Sequence, residues 1–284
     1  MVTPSAGVYI KSVCGSLMIP MTHWRFFERT DAMTESVLFS RDGYVATLTL
    51  NQPERHNALG ADQLAGVIRA LDEVRADGGV RVLVITGAGE KTFCSGAALD
   101  ELGGDELTEN NFQGTTARVA ALPIPTVCAV NGNVFGGGVE LALACDFRIG
   151  VEGSRMQVPA AAIGLCYPLE GIRRFLEVLG PQVTRRLLVG AETLHGDAMR
   201  EIGFLDQMVP RPELSNAVGA FADHLASLAP LAVQAMKQVL RQATTDQVGE
   251  EFARELAERC LHSADLQEGL RAKTEKRAPQ FAGS

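Results

Sequence analysis

Short apolar runs that stop at glycine and hand over to a helical pattern recur along this chain. Val80 to Thr86 ends in Gly87-Ala88-Gly89, and Thr126 to Val130 ends at Asn131-Gly132. Runs this short and this rich in Val and Ile read as strands buried on both faces. Strands alternating with helices restrict the chain to a mixed α/β layered fold around a large core. Ahead of these runs, Val37-Leu38-Phe39, Asp42-Gly43 and Val45 to Leu50 predict a β-hairpin on an Asp-Gly turn. Leu64, Val67, Ile68, Leu71 and Val74 fall at helical spacing and predict an amphipathic helix over about 61–76. Thr108 to Ala121 predicts a helix that stops before Pro123, Leu141 to Cys145 a short helix, and Phe147 to Val151 a strand. Beyond about Glu170 strands nearly vanish. Leu169 to Leu179 reads helical, and further helices are predicted on the Val218, Phe221, Ala222, Leu225, Leu228 face, from near Pro230, over 250–260 and over 265–277.

Composition narrows the function classes. With 46% hydrophobic and 21% charged residues the chain is not globally disordered. A net charge of −8 gives no support to nucleic-acid binding. No apolar run reaches the ~18 residues of a membrane span. The cysteines at 14, 94, 128, 145, 166 and 260 show no CxxC pairing and read as reduced, mostly buried thiols of a cytoplasmic protein. The histidines at 23, 56, 195, 224 and 262 lack metal-ligand spacing, so no metal site is expected. Residues 1–33 have no sustained periodicity and are expected to be a disordered extension.

The chain carries 29 glycines without a collagen period, so glycine has been placed at particular backbone positions. Two turns concentrate them: Gly87 through Ala98, and Asn131 through Gly138. Neither is a nucleotide loop. Gly87 and Gly89 open a GxG, but Thr92 stands where a dinucleotide fingerprint needs glycine, and Glu90 stands where a P-loop needs it before Lys91-Thr92. The second turn has another logic. Gly136-Gly137-Gly138 leads into Val139-Glu140-Leu141-Ala142, and free N–H groups at a helix start favour developing negative charge. Helical side chains lean toward the N-terminus, so Glu140 reaches back over that site. A carboxylate beside an oxyanion pocket is suited to general-base chemistry next to a carbonyl. A glycine hinge with a first-turn glutamate complementing the helix dipole fits the same residues.

The motifs resemble the enoyl-CoA hydratase/isomerase (crotonase) family. Asn51-Gln52-Pro53-Glu54-Arg55-His56-Asn57-Ala58-Leu59 is similar to its NxPxxxNAL signature, and Phe93-Cys94-Ser95-Gly96-Ala97 to its oxyanion turn. Asn131-Gly132, then Gly136 through Ala142, resembles NGxxxGGGxELA, and Cys145-Asp146 its CD pair. The stretch from Gln267-Glu268-Gly269 to Gln280-Phe281 resembles its closing pattern. The resemblance covers about residues 35–281. It implies a ββα spiral core over 34–229, a helical trimerisation region over 230–284, and a homotrimer or dimer of trimers. It implies an acyl-CoA or enoyl-CoA thioester as substrate, with no separate cofactor. The N–H groups of Ala97 and Gly137 are then the oxyanion hole, and Arg55, Ala58, Ser95, Lys276 and Phe281 are the coenzyme A contacts. Arg55 and Lys276 also read as ordinary surface cations.

The chain departs from the family at the second catalytic glutamate, where it has Ala160, and at the usual aspartate, where it has Ala98. Alanine neither moves a proton nor orients water, which puts two-glutamate hydration in doubt. Gly164 to Ile172 resembles the segment of methylmalonyl-CoA decarboxylase-like members that carries a tyrosine at the reacting end, here Tyr167. The histidine those members place at Ala97 is absent. Glu170 is a candidate second carboxylate, or an N-terminal residue of a helix. Asp146 reads as structural. Three functions therefore stand at this point: a hydratase or isomerase using Glu140, Tyr167 and Glu170; an acyl-CoA decarboxylase; and a non-catalytic acyl-CoA binder.

Overall fold

Strand β1 (Val37–Asp42) pairs antiparallel with β2 (Val45–Leu50) around the Asp-Gly turn, where Gly43 takes a φ of 55°. The computed structural model describes residues 36–98, 109–243 and 249–284. The extension predicted over 1–33 lies outside them. Helix α1 (Ala61–Ala76) buries Leu64, Val67, Leu71 and Val74, the face its spacing predicts. Three ββα units follow. The first is β3 (Val82–Gly87), β4 (Thr92–Cys94) and α2 (Glu109–Ala120). The second is β5 (Thr126–Val130), β6 (Asn133–Phe135) and α3 (Gly137–Ala144). The third is β7 (Phe147–Val151), β8 (Arg155–Gln157) and α4 (Leu169–Leu188). Then come β9 (Leu194–His195), α5 (Gly196–Glu201), β10 (Gln207–Val209), α6 (Leu214–Ala226), α7 (Pro230–Ala243), α8 (Glu250–Leu261) and α9 (Ala264–Glu275).

Each unit contributes one strand to each of two sheets. The larger runs β1-β2-β3-β5-β7-β10, and the smaller β4-β6-β8-β9. Apart from the hairpin and the β8–β9 pair, neighbours are parallel. This is the mixed α/β, ββα spiral that the motifs imply. The unbroken apolar strands follow from period-2 geometry with both faces covered. Leu83 and Ile85 enter one cluster with α1, α2 and α3; Val82 and Val84 enter the other, with Val218, Ala222 and Leu225 of α6.

Several boundaries differ from the sequence reading. Strand β3 starts at Val82 rather than Val80, because the Arg81 and Val82 N–H groups both turn to the Tyr44 carbonyl at its entry. Helix α3 starts at Gly137, four residues ahead of the predicted Leu141, because the glycines themselves form its first turn. Helix α4 runs on to Leu188 through a kink at Gly180 (φ 72°), beside Pro181. Two short strands, β9 and β10, close the edges of the sheets beyond residue 170.

Candidate active site

The exits of two neighbouring strands build the site. Strands β4 and β6 lie side by side, with Thr92 opposite Asn133 and Cys94 opposite Val134. The chain leaving β4 at Ser95–Ala97 therefore emerges beside the chain leaving β6 at Gly136–Gly137. Two asparagines lock the turn between β3 and β4. Asn131 donates to the Gly87 and Gly89 carbonyls (2.8 and 2.7 Å), and Asn57 to those of Ala88 and Thr92 (3.0 and 2.8 Å). The 55–59 segment is tied to the β4 exit by Ser95 N–H to the His56 carbonyl (3.0 Å), Leu59 N–H to Gly96 (2.8 Å) and Ala98 N–H to Leu59 (3.0 Å). Arg55, Ala58, Ser95 and Ala97 are thus brought together, with Arg55 exposed and the other three half-buried.

This pairing leaves the N–H of Ala97 unused, since in the parallel bridge Leu59 takes the Gly96 carbonyl and the Ala98 N–H. Gly137 is the first residue of α3, whose N–H has no intrahelical acceptor. Neither N–H donates to any of the described residues. Glycine is required here. Gly96 has a φ of 91°, and a Cβ on it would stand 2.5 Å from Gly137 N. A Cβ on Gly137 would stand 2.4 Å from Cζ of Phe112, whose ring covers this turn from α2. Two adjacent unused donors at a helix start can stabilise a developing oxyanion.

Glu140, in the first turn of α3, is fully buried. Its partners are neutral. Thr116 Oγ1 donates to Oε1 (2.9 Å), Gln113 Nε2 lies 3.4 Å from Oε2, and the Tyr167 hydroxyl also hydrogen-bonds the carboxylate. Burial is the largest influence and pushes its carboxyl above the ordinary value of 4.5; these donors and the more distant Arg174 charge oppose it. Burial and the Glu140 charge likewise push the Tyr167 hydroxyl well above its usual value, so it stays a neutral donor. Tyr167 is held edge-on against Phe175, with centroids 5.5 Å apart. Gly171 makes room for both groups, because a Cβ there would stand 2.5 Å from Tyr167 Cε1 and 2.9 Å from Glu140 Oε2.

The other sequence-derived candidates lie elsewhere. Glu170 is exposed at the first turn of α4 and is not brought to Glu140, because the face of α4 that meets α3 is that of Gly171. Lys276 caps α9 in the left-handed region and is exposed. Phe281 packs its ring on Gly269, and its carbonyl accepts from Arg81 Nη2 (2.6 Å). Arg81 precedes β3, whereas Gly87 at that strand's far end lies against the Phe93 carbonyl, two residues ahead of the Ser95–Ala97 turn that leaves β4; five residue steps of strand span roughly 17 Å. Within one protomer the Phe281 main chain therefore lies at the opposite end of β3 from Ser95. Asp146 is structural: it accepts from Thr126 N–H (2.7 Å), Thr126 Oγ1 (2.9 Å) and Lys237 Nζ (2.6 Å). Ala160 is buried and its side chain carries no polar atom.

Sequence reasoning missed Gln113 and Thr116, and with them Phe112. Their spacing puts Gln113 and Thr116 on one face of a helix, which was visible. That this face covers α3 was not. Among the described residues no cluster of His, Cys, Asp and Glu is arranged to hold a metal ion. In the same set no helix is long and apolar enough to cross a membrane.

The family described as Enoyl-CoA hydratase/isomerase matches residues 40–284. The short-chain-enoyl-CoA hydratase of Clostridium acetobutylicum is 30% identical over 249 residues, covering 85% of this chain and 95% of its own. The carnitinyl-CoA dehydratase of Salmonella typhi is 33% identical over 263 residues, covering 88% and 100%. Among solved structures, the enoyl-CoA hydratase of Bacillus anthracis superposes with a TM-score of 0.81 at 28% identity, covering 88% of this chain and all of that one.

Proposed function

The chain belongs to the enoyl-CoA hydratase/isomerase family and is an enzyme acting on acyl-CoA thioesters; from that premise we propose that Glu140 is its general base and that Ala97 and Gly137 N–H form its oxyanion hole. The observation that carries this reading is the adjacency of two unused main-chain donors and one buried carboxylate held only by neutral donors. A thioester carbonyl seated on the two N–H groups places its α-carbon beside Glu140. Proton transfer at that carbon puts negative charge on the carbonyl oxygen, where the two donors already point. Their orientation is set by the fold and costs no reorganisation during the reaction. Tyr167 steadies the carboxylate. Glu170 has no part in the proton transfer on this reading.

Decarboxylation is supported by the place of Tyr167. A substrate carboxylate beside it would meet the charge of Glu140, which makes proton transfer the better reading. Arg55, Ala58 and Ser95 contact coenzyme A from the same protomer. Phe281, at the entry end of β3, and with it Lys276 serve that site from a neighbouring copy, with residues 230–284 as the trimerisation region of a homotrimer or dimer of trimers. Met236, Leu240, Leu261 and Leu270 stand exposed on α7, α8 and α9 and support such an assembly. With five free cysteines among the described residues, the protein is assigned to the cytoplasm.

The test is direct. The purified chain, given crotonyl-CoA or a 3-enoyl-CoA, should yield 3-hydroxyacyl-CoA or 2-enoyl-CoA by mass spectrometry. Absence of both products, together with no exchange of α-protons in deuterium oxide, would overturn the assignment of Glu140.

A further inference from the structure

Helix α2 brings three side chains to the site on one face. Phe112 covers Gly137, while Gln113 and Thr116 reach Glu140. A carboxylate only accepts hydrogen bonds, so the Gln113 atom facing Glu140 is the Nε2 amide nitrogen. That leaves Gln113 Oε1 pointing away from Glu140. This oxygen is buried and has no hydrogen-bond partner among the described residues. A buried carbonyl oxygen without a donor is costly, and it marks a place where a donor arrives from outside the chain. Glu140 can accept one further donor. Its two oxygens offer about four lone-pair directions. Thr116, Gln113 and Tyr167 occupy three of them.

Because Oε1 and Nε2 share one carbon, Oε1 stays near the carboxylate that Nε2 faces, and one molecule with two O–H donors can bridge the two acceptors. We propose that Gln113 Oε1 is the second holder of a water nucleophile, taking the place in this chain that Ala160 leaves empty, and that the enzyme is therefore a hydratase. This rests on Glu140 acting as the base. One water O–H points at Glu140 and the other at Gln113 Oε1, which leaves an oxygen lone pair for the β-carbon of a 2-enoyl thioester. As the new C–O bond forms, the water proton passes to Glu140. The C=C pair moves toward the carbonyl, whose oxygen becomes the anion held by Ala97 and Gly137. The enolate then collapses as Glu140 returns the same proton to the α-carbon. One water is added across the double bond, and Glu140 ends as it began. A neutral amide suffices for this role because it orients water and never carries the proton.

The experiment compares two reactions that share the oxyanion hole and Glu140 but differ in their need for water. Hydration of crotonyl-CoA needs the nucleophile; α-proton exchange of butyryl-CoA in deuterium oxide does not. Gln113→Met, of similar length, should lower kcat for hydration by about 100-fold, with KM and the exchange rate within about threefold of the parent. Gln113→Glu, which supplies an acceptor oxygen but sets a second carboxylate against Glu140, should recover part of the hydration lost in Gln113→Met, with the acid limb of hydration moved to higher pH. Thermal melting of each variant checks that it folds. Equal losses of hydration and exchange in Gln113→Met would overturn the proposal, because they would mean only that Glu140 had been displaced. Unchanged hydration would overturn it as well, as would a parent that exchanges α-protons but never hydrates; that last result leaves Glu140 as base intact. A parent that does neither overturns the assignment of Glu140 first and this proposal with it.

Discussion

Glu140 and Glu268 are both buried carboxylates on helices, at 0% and 8% exposure, and their surroundings push them in opposite directions. Glu140 meets hydroxyls and an amide. With no cation in contact, burial dominates and its carboxyl rises above the ordinary glutamate value. Glu268, on α9, meets Arg277 Nη1 and Nη2 (2.5 and 2.9 Å), Arg271 Nη2 (2.5 Å) and the Gln280 N–H (2.9 Å). Those bonds, Arg277 first, hold its carboxyl far below that value. The same residue type is held close to neutrality by burial in one place and kept as an anion by arginines in the other. Glu268 is a clamp. With Asp265, which accepts from the Ala282 N–H (2.8 Å), it folds the C-terminal tail back onto α9 and fixes Phe281. Neutral donors leave a carboxylate able to change state, whereas paired arginines remove that freedom.

The largest break in this contrast is Glu140→Gln. Removing the base should lower kcat by about 10²–10⁴-fold, measured on whichever thioester the parent turns over. The same variant should not melt below the parent at pH 8. Because burial raises the folded-state value of Glu140, its ionised form is favoured more in the unfolded chain, and stability falls as pH rises through the folded value. A buried glutamine escapes that penalty. A clear drop in melting temperature at pH 8 would mean that Glu140 is structural.

Glu268→Gln should behave in reverse. Its folded-state value is depressed, so its contribution is present above the ordinary 4.5 and is lost as pH falls toward the folded value. The variant should melt below the parent at pH 7, with the gap closing in acid. Its kcat per folded molecule should stay within about twofold, while KM for the thioester rises if Phe281 serves the coenzyme. A fall in kcat with KM unchanged would erase the distinction between clamp and catalyst.

The smallest effect is the sharpest. Thr116→Val removes one neutral donor from the ionised Glu140 and should raise its value further. A base works only when deprotonated, so the acid limb of kcat/KM should move to higher pH, with a fall of only a few-fold on the plateau. An acid limb that stays in place would show that the donors around Glu140 do not set its state.

Much of the site was legible in the residues because it is made of backbone. Gly96, Gly136 and Gly137 stand where main-chain N–H groups must come close to one another, and Asn57 and Asn131 lock a local turn. Such geometry is written in short segments; the apolar runs that end in glycine gave the alternation of strand and helix, and the ββα repeat came from the family resemblance. Those runs also proved to be parallel strands, each passing from the larger sheet into the smaller one. Local patterning determined the main-chain donors, the position of Glu140 in a first helical turn, and the family. What surrounds Glu140 was decided by packing. Gln113 and Thr116 lie on a helix 24 or more residues away in sequence, Gly171 arrives from α4, and Tyr167 from the segment just ahead of it. Tyr167 was a candidate through its resemblance and Glu170 as a second carboxylate or a helix residue; the entry into α4 carries Tyr167 to Glu140, and the helix turns Glu170 to solvent. Chain neighbours can be read residue by residue, but the electrostatics of a buried carboxylate depends on every element packed against it, and only the tertiary structure assembles that set.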